Sequence, residues 1–281
     1  MPRPFSVPKR LPLEEQRGQT FVALVELMQR LLAPDGCPWD REQTRESLRE
    51  YVLEEACEVI DAIDGGSPED LSEELGDLAL QIAFLSELGR KEKTFGPDDA
   101  IRLICEKLVR RHPHVFGDQV VSGSEEVLEN WARIKEREKA NRPLLAGIPR
   151  ALPALLRATK MSEKVSRVGF DWPDSSGSRE KVAEELAELD AAIRGGRPSR
   201  IEAELGDLLF SIVNLARHHG VSPEEALRKT ADRFASRFDH VESRVKSVHG
   251  DWPRDAKGKP TRGISLEQMD GFWNEAKARE S

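Results

Sequence analysis

Eight acidic residues fall into two sets with the same internal spacing. Glu55, Glu58, Glu74 and Asp77 form one set, and Glu185, Glu188, Glu204 and Asp207 form the other. In each, an EExxE run is followed, after a turn, by ExxD. Carboxylates three residues apart are neighbours on a helix surface. Two such helices brought together would gather four carboxylates. Like charges held close repel one another, and a bound divalent cation relieves that repulsion. Carboxylate oxygens are hard ligands that suit Mg²⁺, with Mn²⁺ as a possible substitute. One EExxE alone reads as a solvated helix face, because glutamate is common there. Two complete sets at one spacing argue for ligands.

Each of the four helices carries its first acid at the edge of an apolar stripe. At about 100° per residue, Glu55 is flanked by Val52, Ala56, Val59 and Ile63, and Glu74 by Leu71, Leu75, Leu78 and Ile82. Glu185 is flanked by Val182, Leu186, Leu189 and Ile193, and Glu204 by Ile201, Leu205, Leu208 and Ile212. The sequence thus predicts two antiparallel helix pairs that pack through these stripes. Glu54 and Glu184 point away from the stripe and rank below Glu55 and Glu185 as ligands. Gly76 and Gly206 interrupt the ExxD helices at equivalent places, where glycine costs roughly 1 kcal/mol against alanine. Close helix packing would explain them, and so would space for a ligand beside Asp77 and Asp207.

Basic residues follow each acid set. Lys107 and Arg111 are four apart, as are Arg233 and Arg237. Further on, "WARIKERE" (131–138) parallels "WNEAKARE" (273–280), which pairs Trp131 with Lys135 and Trp273 with Lys277. Taken alone, each basic pair is a solvated helix face. After an acid cluster in both halves, they suggest cations for phosphate groups. The tryptophans suit either packing or cover of a base. "HPH" (112–114) reads as helix-end packing, and "GKPTRG" (258–263) lacks the spacing of a phosphate-binding P-loop.

The elements that must position these residues are helices. "EEACEVIDAIDGGSPEDLSEELGDLALQIAFL" (54–85) matches "EELAELDAAIRGGRPSRIEAELGDLLFSIVNL" (184–215) without a gap, so the chain is an internal duplication. Residues 1–17, with four prolines, read as a flexible arm. The first helical domain covers 18–140, a proline-rich linker 141–153, and the second domain 154–281. Strand-like alternation is almost absent, and the abundance of Ala, Leu, Glu and Arg favours helix, so the fold class is all-α. Ser67 is placed to cap a helix with Pro68 at its first position.

Composition narrows the function. Fifty-one acids against 43 bases leave a net charge of −8, which does not suit stable nucleic-acid binding. The three cysteines form no CxxC pair, which argues against a zinc ribbon and suits a reducing cytosol. The N-terminus has no apolar core of a secretory signal, and no run reaches the roughly 18–20 apolar residues that span a bilayer. These features predict a cytoplasmic protein. A di-iron carboxylate protein would need Glu-x-x-His pairs, and none of the six histidines has glutamate three residues before it.

Together, EExxE with ExxD, the upstream "CPWDREQT" (37–44), "ELGDL" and "RRHPHVFGD" resemble the two-domain MazG-type nucleoside triphosphate pyrophosphohydrolases. The resemblance extends from about residue 20 onward. It implies tandem helical bundles assembled as a homodimer, with Mg²⁺-dependent cleavage of nucleoside triphosphates to monophosphate and pyrophosphate. It carries metal ligation to all eight acids above, and the family's basic and tryptophan positions to Arg233, Arg237, Trp273 and Lys277. It favours the second half as the working one. One departure is Ala203, where the first half has Glu73 before Glu74. The competing expectation is a non-catalytic helical dimerisation or partner-binding module, with one or neither half active.

Overall fold

The turn after the first EExxE run starts a helix as its residue types require. Asp70 donates its backbone N–H to the Ser67 hydroxyl, and the Asp70 carboxylate accepts the Ser67 N–H at 2.7 Å, a reciprocal cap with Pro68 at the first helical position. The computed structural model describes residues 20–138, 143–253, 257 and 263–280. The predicted arm, residues 141–142 of the linker and most of "GKPTRG" lie outside the described residues.

Helices follow one another as α1 (Phe21–Leu31), α2 (Pro38–Glu42), α3 (Leu48–Gly65), α4 (Pro68–Lys91), α5 (Pro97–Arg111), α6 (Pro113–Phe116) and α7 (Ser124–Glu138). After the turns of 143–153 come α8 (Ala154–Ser166), α9 (Ser175–Gly195), α10 (Pro198–His218), α11 (Pro223–His249) and α12 (Leu266–Arg279). The fold is all-α, with no strand among the described residues. No helix among them is long and apolar enough to cross a membrane. The chain divides into two compact units, Met1–Ala140 and Asn141–Ser281.

The same motif organises each unit. In the first, α3 and α4 pair across the Gly66–Ser67 turn and α1 packs on α4. Val25 and Met28 of α1, Leu48 of α3 and Ala83, Phe84 and Leu88 of α4 make its core. In the second, α9 pairs with α10, α8 packs on α10, and α11 pairs with α12. Val241, Val245 and Ile264 are buried there against Trp252, Met269, Phe272 and Trp273.

The predicted stripes need correction. Ile63 is 65% exposed, and Leu75, Ile82, Leu186, Ile193, Leu205 and Ile212 are exposed too. The helix pairs form, but these residues do not close against each other. The second pair instead buries Glu185, Ala192, Glu204 and Val213. α9 and α10 therefore turn Glu185 and Glu204 inward, α3 and α4 leave Glu55 and Glu74 half-buried, and both pairs leave apolar side chains open.

Close packing also fails to explain the mid-helix glycines. A Cβ at Gly76 or Gly206 would meet nothing within 4 Å. The space beside Asp77 and Asp207 is open.

Candidate functional site

α3 and α4 bring Glu55, Glu58 and Glu74 together, with one carboxylate oxygen of each within 4.8 Å of the others. α9 and α10 do the same for Glu185, Glu188 and Glu204. Antiparallel pairing explains this, because a short turn places the middle of one helix beside the middle of the next. Asp77 and Asp207, the remaining predicted ligands, stand outside these tight groups. Asp77 is near enough for its negative charge to act on both Glu55 and Glu74.

The two clusters differ in their counter-charges. Glu185 and Glu204 are only 6% and 8% exposed. Lys181, four residues before Glu185, meets it at 2.7 Å, and Arg200, four before Glu204, meets it at 3.2 Å. These partners hold buried charge that would otherwise be costly. The pairing raises the Lys181 ammonium above its ordinary pKa, chiefly through its bond to Glu185. Glu188 is exposed and has a raised pKa, first because of the negative charge of Glu204. In the first half, Tyr51 and Asp70 stand where Lys181 and Arg200 would be. There Gln81 donates to Glu55 at 3.3 Å. Burial comes first in raising the pKa of both Glu55 and Glu74, with neighbouring carboxylates adding to it.

The predicted arginines are engaged with other groups. Arg237 donates to Glu280, at 2.5 Å for the shortest bond, and lies 5.7 Å from the Trp273 ring centre. Arg233 donates to Thr230 at 2.8 Å. In the first half Arg111, with Arg110, grips Glu138 and holds its carboxyl down to about 2. Lys107 is on α5 and Trp131 on α7, and Lys277 is on α12 with Trp273. The side chain of Lys135 lies outside the described residues. Trp273 packs at 5.0 Å from Phe234 and flanks the core of the second unit. The repeated Arg–Glu pairing was not anticipated from sequence, although both tryptophan octapeptides end in "RE". Lys181 and Arg200 were missed as well. Their signal lies in the differences between the two copies, each being four residues before a ligand in one copy only. His112 behaves as expected of a helix end, its Nδ1 lying 2.7 Å from the Leu108 carbonyl oxygen.

Beside the second cluster is a cavity of about 500 Å³, with Glu185 and Asp207 among its lining residues. It also borders Lys181 and the aromatic rings of Phe170, Trp172 and Phe210. Clustered carboxylates, flanking cations and an aromatic-walled space thus meet in one unit.

The chain is similar in sequence to known proteins. The model of the MazG nucleotide pyrophosphohydrolase domain matches twice, at residues 43–116 and 176–242. Both matches contain a complete acid set. A protein of Thermotoga maritima named nucleoside triphosphate pyrophosphohydrolase/pyrophosphatase MazG is 41% identical over 265 residues, 94% of this chain and 98% of that protein. A nucleoside triphosphate pyrophosphohydrolase of Escherichia coli is 42% identical over 263 residues, 92% of this chain and 97% of its own length. With both halves matched and nearly full-length relatives, the chain belongs to the MazG nucleotide pyrophosphohydrolase family.

Proposed function

We propose that the chain hydrolyses nucleoside triphosphates between the α- and β-phosphates, yielding nucleoside monophosphate and pyrophosphate. Two MazG-like domains, 18–140 and 154–281, flank a linker at 141–153. The carrying observation is the second carboxylate cluster, gathered between α9 and α10 with Glu185 and Glu204 buried, paired with Lys181 and Arg200, and open to an aromatic-walled cavity.

Divalent metal suits this cluster. All its gathered ligands are carboxylates, the donor type preferred by Mg²⁺, and Glu188 carries the mark of unrelieved repulsion from Glu204. Glu185, Glu188 and Glu204 would hold the ion, with Asp207 turning in as the fourth ligand. Glu55, Glu58, Glu74 and Asp77 would do so in the first half. Mg²⁺ is the proposed ion and Mn²⁺ a substitute. When bound, it supplies Lewis acidity toward the phosphoryl group and makes water a stronger nucleophile.

The chain's own residues do the rest. A carboxylate not fully engaged as a ligand accepts a proton from the water that attacks the α-phosphorus. Lys181 and Arg200 exchange their carboxylate partners for phosphate oxygens. Arg233, Arg237 and Lys277 add positive charge as negative charge grows on the leaving pyrophosphate. Arg237 must first leave Glu280, and a phosphate offers its guanidinium the same two-pronged geometry. Trp273 orients Arg237 through its ring face. Lys107, Arg111, Trp131 and Lys135 are the corresponding set in the first half.

Products decide the reading. ATP or dGTP incubated with the protein and Mg²⁺ should give, on ion exchange, monophosphate and pyrophosphate in equal amounts from the first turnover. Diphosphate with stepwise orthophosphate would sink it.

The open ridges support a homodimer, with a second copy of the chain as their cover. Ile63, Leu75 and Ile82, and Leu186, Ile193 and Leu205, are exposed on paired helices, and apolar side chains gathered on a surface mark association sites. Sedimentation equilibrium at micromolar concentration should return twice the mass of one chain. A single-chain mass would remove this part.

A further inference from the structure

The cavity beside the second cluster has a wall that the first half does not reproduce. Asn214 lines it. Arg217 donates from Nε at 2.9 Å and from Nη2 at 2.8 Å to Asn214 Oδ1. The same Nη2 donates at 2.5 Å to Asp171, whose carboxyl is held below its usual range chiefly by that bond. His218 Nε2 lies 3.2 Å from the same carboxylate oxygen. A guanidinium has donors and no acceptor, so it must face the amide oxygen of Asn214. The amide NH₂ is then left over, and it makes no hydrogen bond among the described residues.

The duplication gives an internal control. Phe84 occupies the position of Asn214, and Gln81 that of Ser211. Phe84 is 4% exposed and is built into the core with Met28, Leu48 and Leu88. Gln81 is buried and spends its NH₂ on Glu55. Glu87 stands in place of Arg217. Where the second half has a spare amide donor beside its acids, the first half has a core phenyl ring and an amide already bonded to Glu55.

The cavity is of the right kind for a small organic ligand. Its volume of about 500 Å³ falls in the roughly 300–1,000 Å³ range of small-molecule pockets. Phe170, at its edge, is 80% exposed, a large ring face with no cover. Aromatic rings accept any nucleobase by stacking, while a fixed amide donor adds selection by hydrogen bonding. Because Glu185 and Asp207 border the cavity as well as the proposed phosphate site, one ligand can fill both.

We propose that this cavity receives the nucleoside of the triphosphate substrate, that Asn214 donates to an acceptor edge of the base, and that Arg217 and Asp171 hold Asn214 in the donating orientation. In the first half Phe84 stands at that position, buried in the core, and offers a base no such donor. This inference rests on the pyrophosphohydrolase reading above.

The test uses the full chain with Mg²⁺ and two kinds of probe, the four ribonucleoside monophosphates and pyrophosphate, by titration calorimetry. Asn214→Phe transplants the first half's residue. It should weaken the best-bound monophosphate by about 30-fold, within the range that one pocket group contributes, and leave pyrophosphate affinity within about twofold of the parent. Asn214→Asp is nearly isosteric, keeps a partner for Arg217 and replaces the donor with an acceptor. It should reorder the four monophosphates while pyrophosphate binding holds. If Asn214→Phe misfolds by circular dichroism, the reordering by Asn214→Asp decides alone. Parent-like monophosphate affinities and ranking in the folded variants would overturn the inference, while continued production of monophosphate and pyrophosphate would keep the catalytic reading. If the parent chain yields no monophosphate and pyrophosphate from triphosphates, the catalytic reading falls and this inference falls with it.

Discussion

Glu188→Gln should lower kcat at least ~100-fold, the order expected when stabilisation of transition-state charge is disrupted, while Glu58→Gln retains most of the activity. The substitution is nearly isosteric, so the helix and its packing stay. What goes is one negative charge and one good ligand oxygen from the group gathered with Glu185 and Glu204. Glu58 occupies the same place in the first cluster, and the chemistry of losing its charge is the same. The difference in outcome comes from the surroundings. The second cluster has Lys181 and Arg200 against its carboxylates and a cavity beside it. The first has Tyr51, Asp70 and Phe84 at the corresponding positions. Arg233 and Arg237 provide two guanidiniums where the first half has Lys107 and Arg111, and guanidinium matches phosphate geometry better than ammonium does. The loss of Glu73's counterpart at Ala203 affects an exposed position and leaves the ligands in place. Both variants should be assayed together at saturating Mg²⁺ and nucleotide. The reverse ranking would put the working site in the first half, and equal partial losses would mean that both halves turn over.

Removal of divalent metal should abolish turnover, and its return should stabilise the fold. A ligand that binds only the native state adds about 2.7 kcal/mol at a hundredfold excess over its Kd, enough to move a thermal midpoint by several degrees. The midpoint should therefore climb with Mg²⁺ concentration in the parent chain. Glu185→Gln combined with Asp207→Asn should remove the second half's share of that climb and leave the share of the first. Differential scanning calorimetry across a Mg²⁺ series reads both. A double variant whose midpoint responds to Mg²⁺ as the parent does would reduce the second set of acids to surface residues.

Much of the site was legible because it was written twice. The eight acids could be picked from 51 acidic residues only because each spacing recurs. Helix boundaries followed from turn and capping residues, as at Ser67–Pro68. What stayed hidden was of two kinds. Periodicity shows that a helix has an apolar side but not what covers it, so the ridge of Leu186 and Ile193 was assigned to the wrong partner. Ion pairs between distant segments, such as Arg237 with Glu280, depend on tertiary placement that spacing does not encode. Lys181, Arg200 and Asn214 fall between these cases. They lie inside or next to the repeated block, yet a search for sameness passes over them, because each matters by differing from its counterpart.

One such difference bears on how the two copies have diverged. At the start of α4, Ser67 and Asp70 cap each other's backbone. At the start of α10, the same positions hold Arg197 and Arg200, and no side-chain cap forms. A lost cap costs about 1 kcal/mol, and cations at a helix N-terminus oppose its dipole. Arg200 instead reaches Glu204 at 3.2 Å. The second half thus lacks that cap and has a cation on a proposed ligand, while the first has the cap and no such cation beside its acids. Placing Ser and Asp at 197 and 200 should accordingly raise the thermal midpoint and, if Arg200 serves the proposed site, lower activity. In this chain, the side chains that stabilise a helix end and those that set a cation beside the acids fall on different copies of one repeat, instead of competing for the same positions.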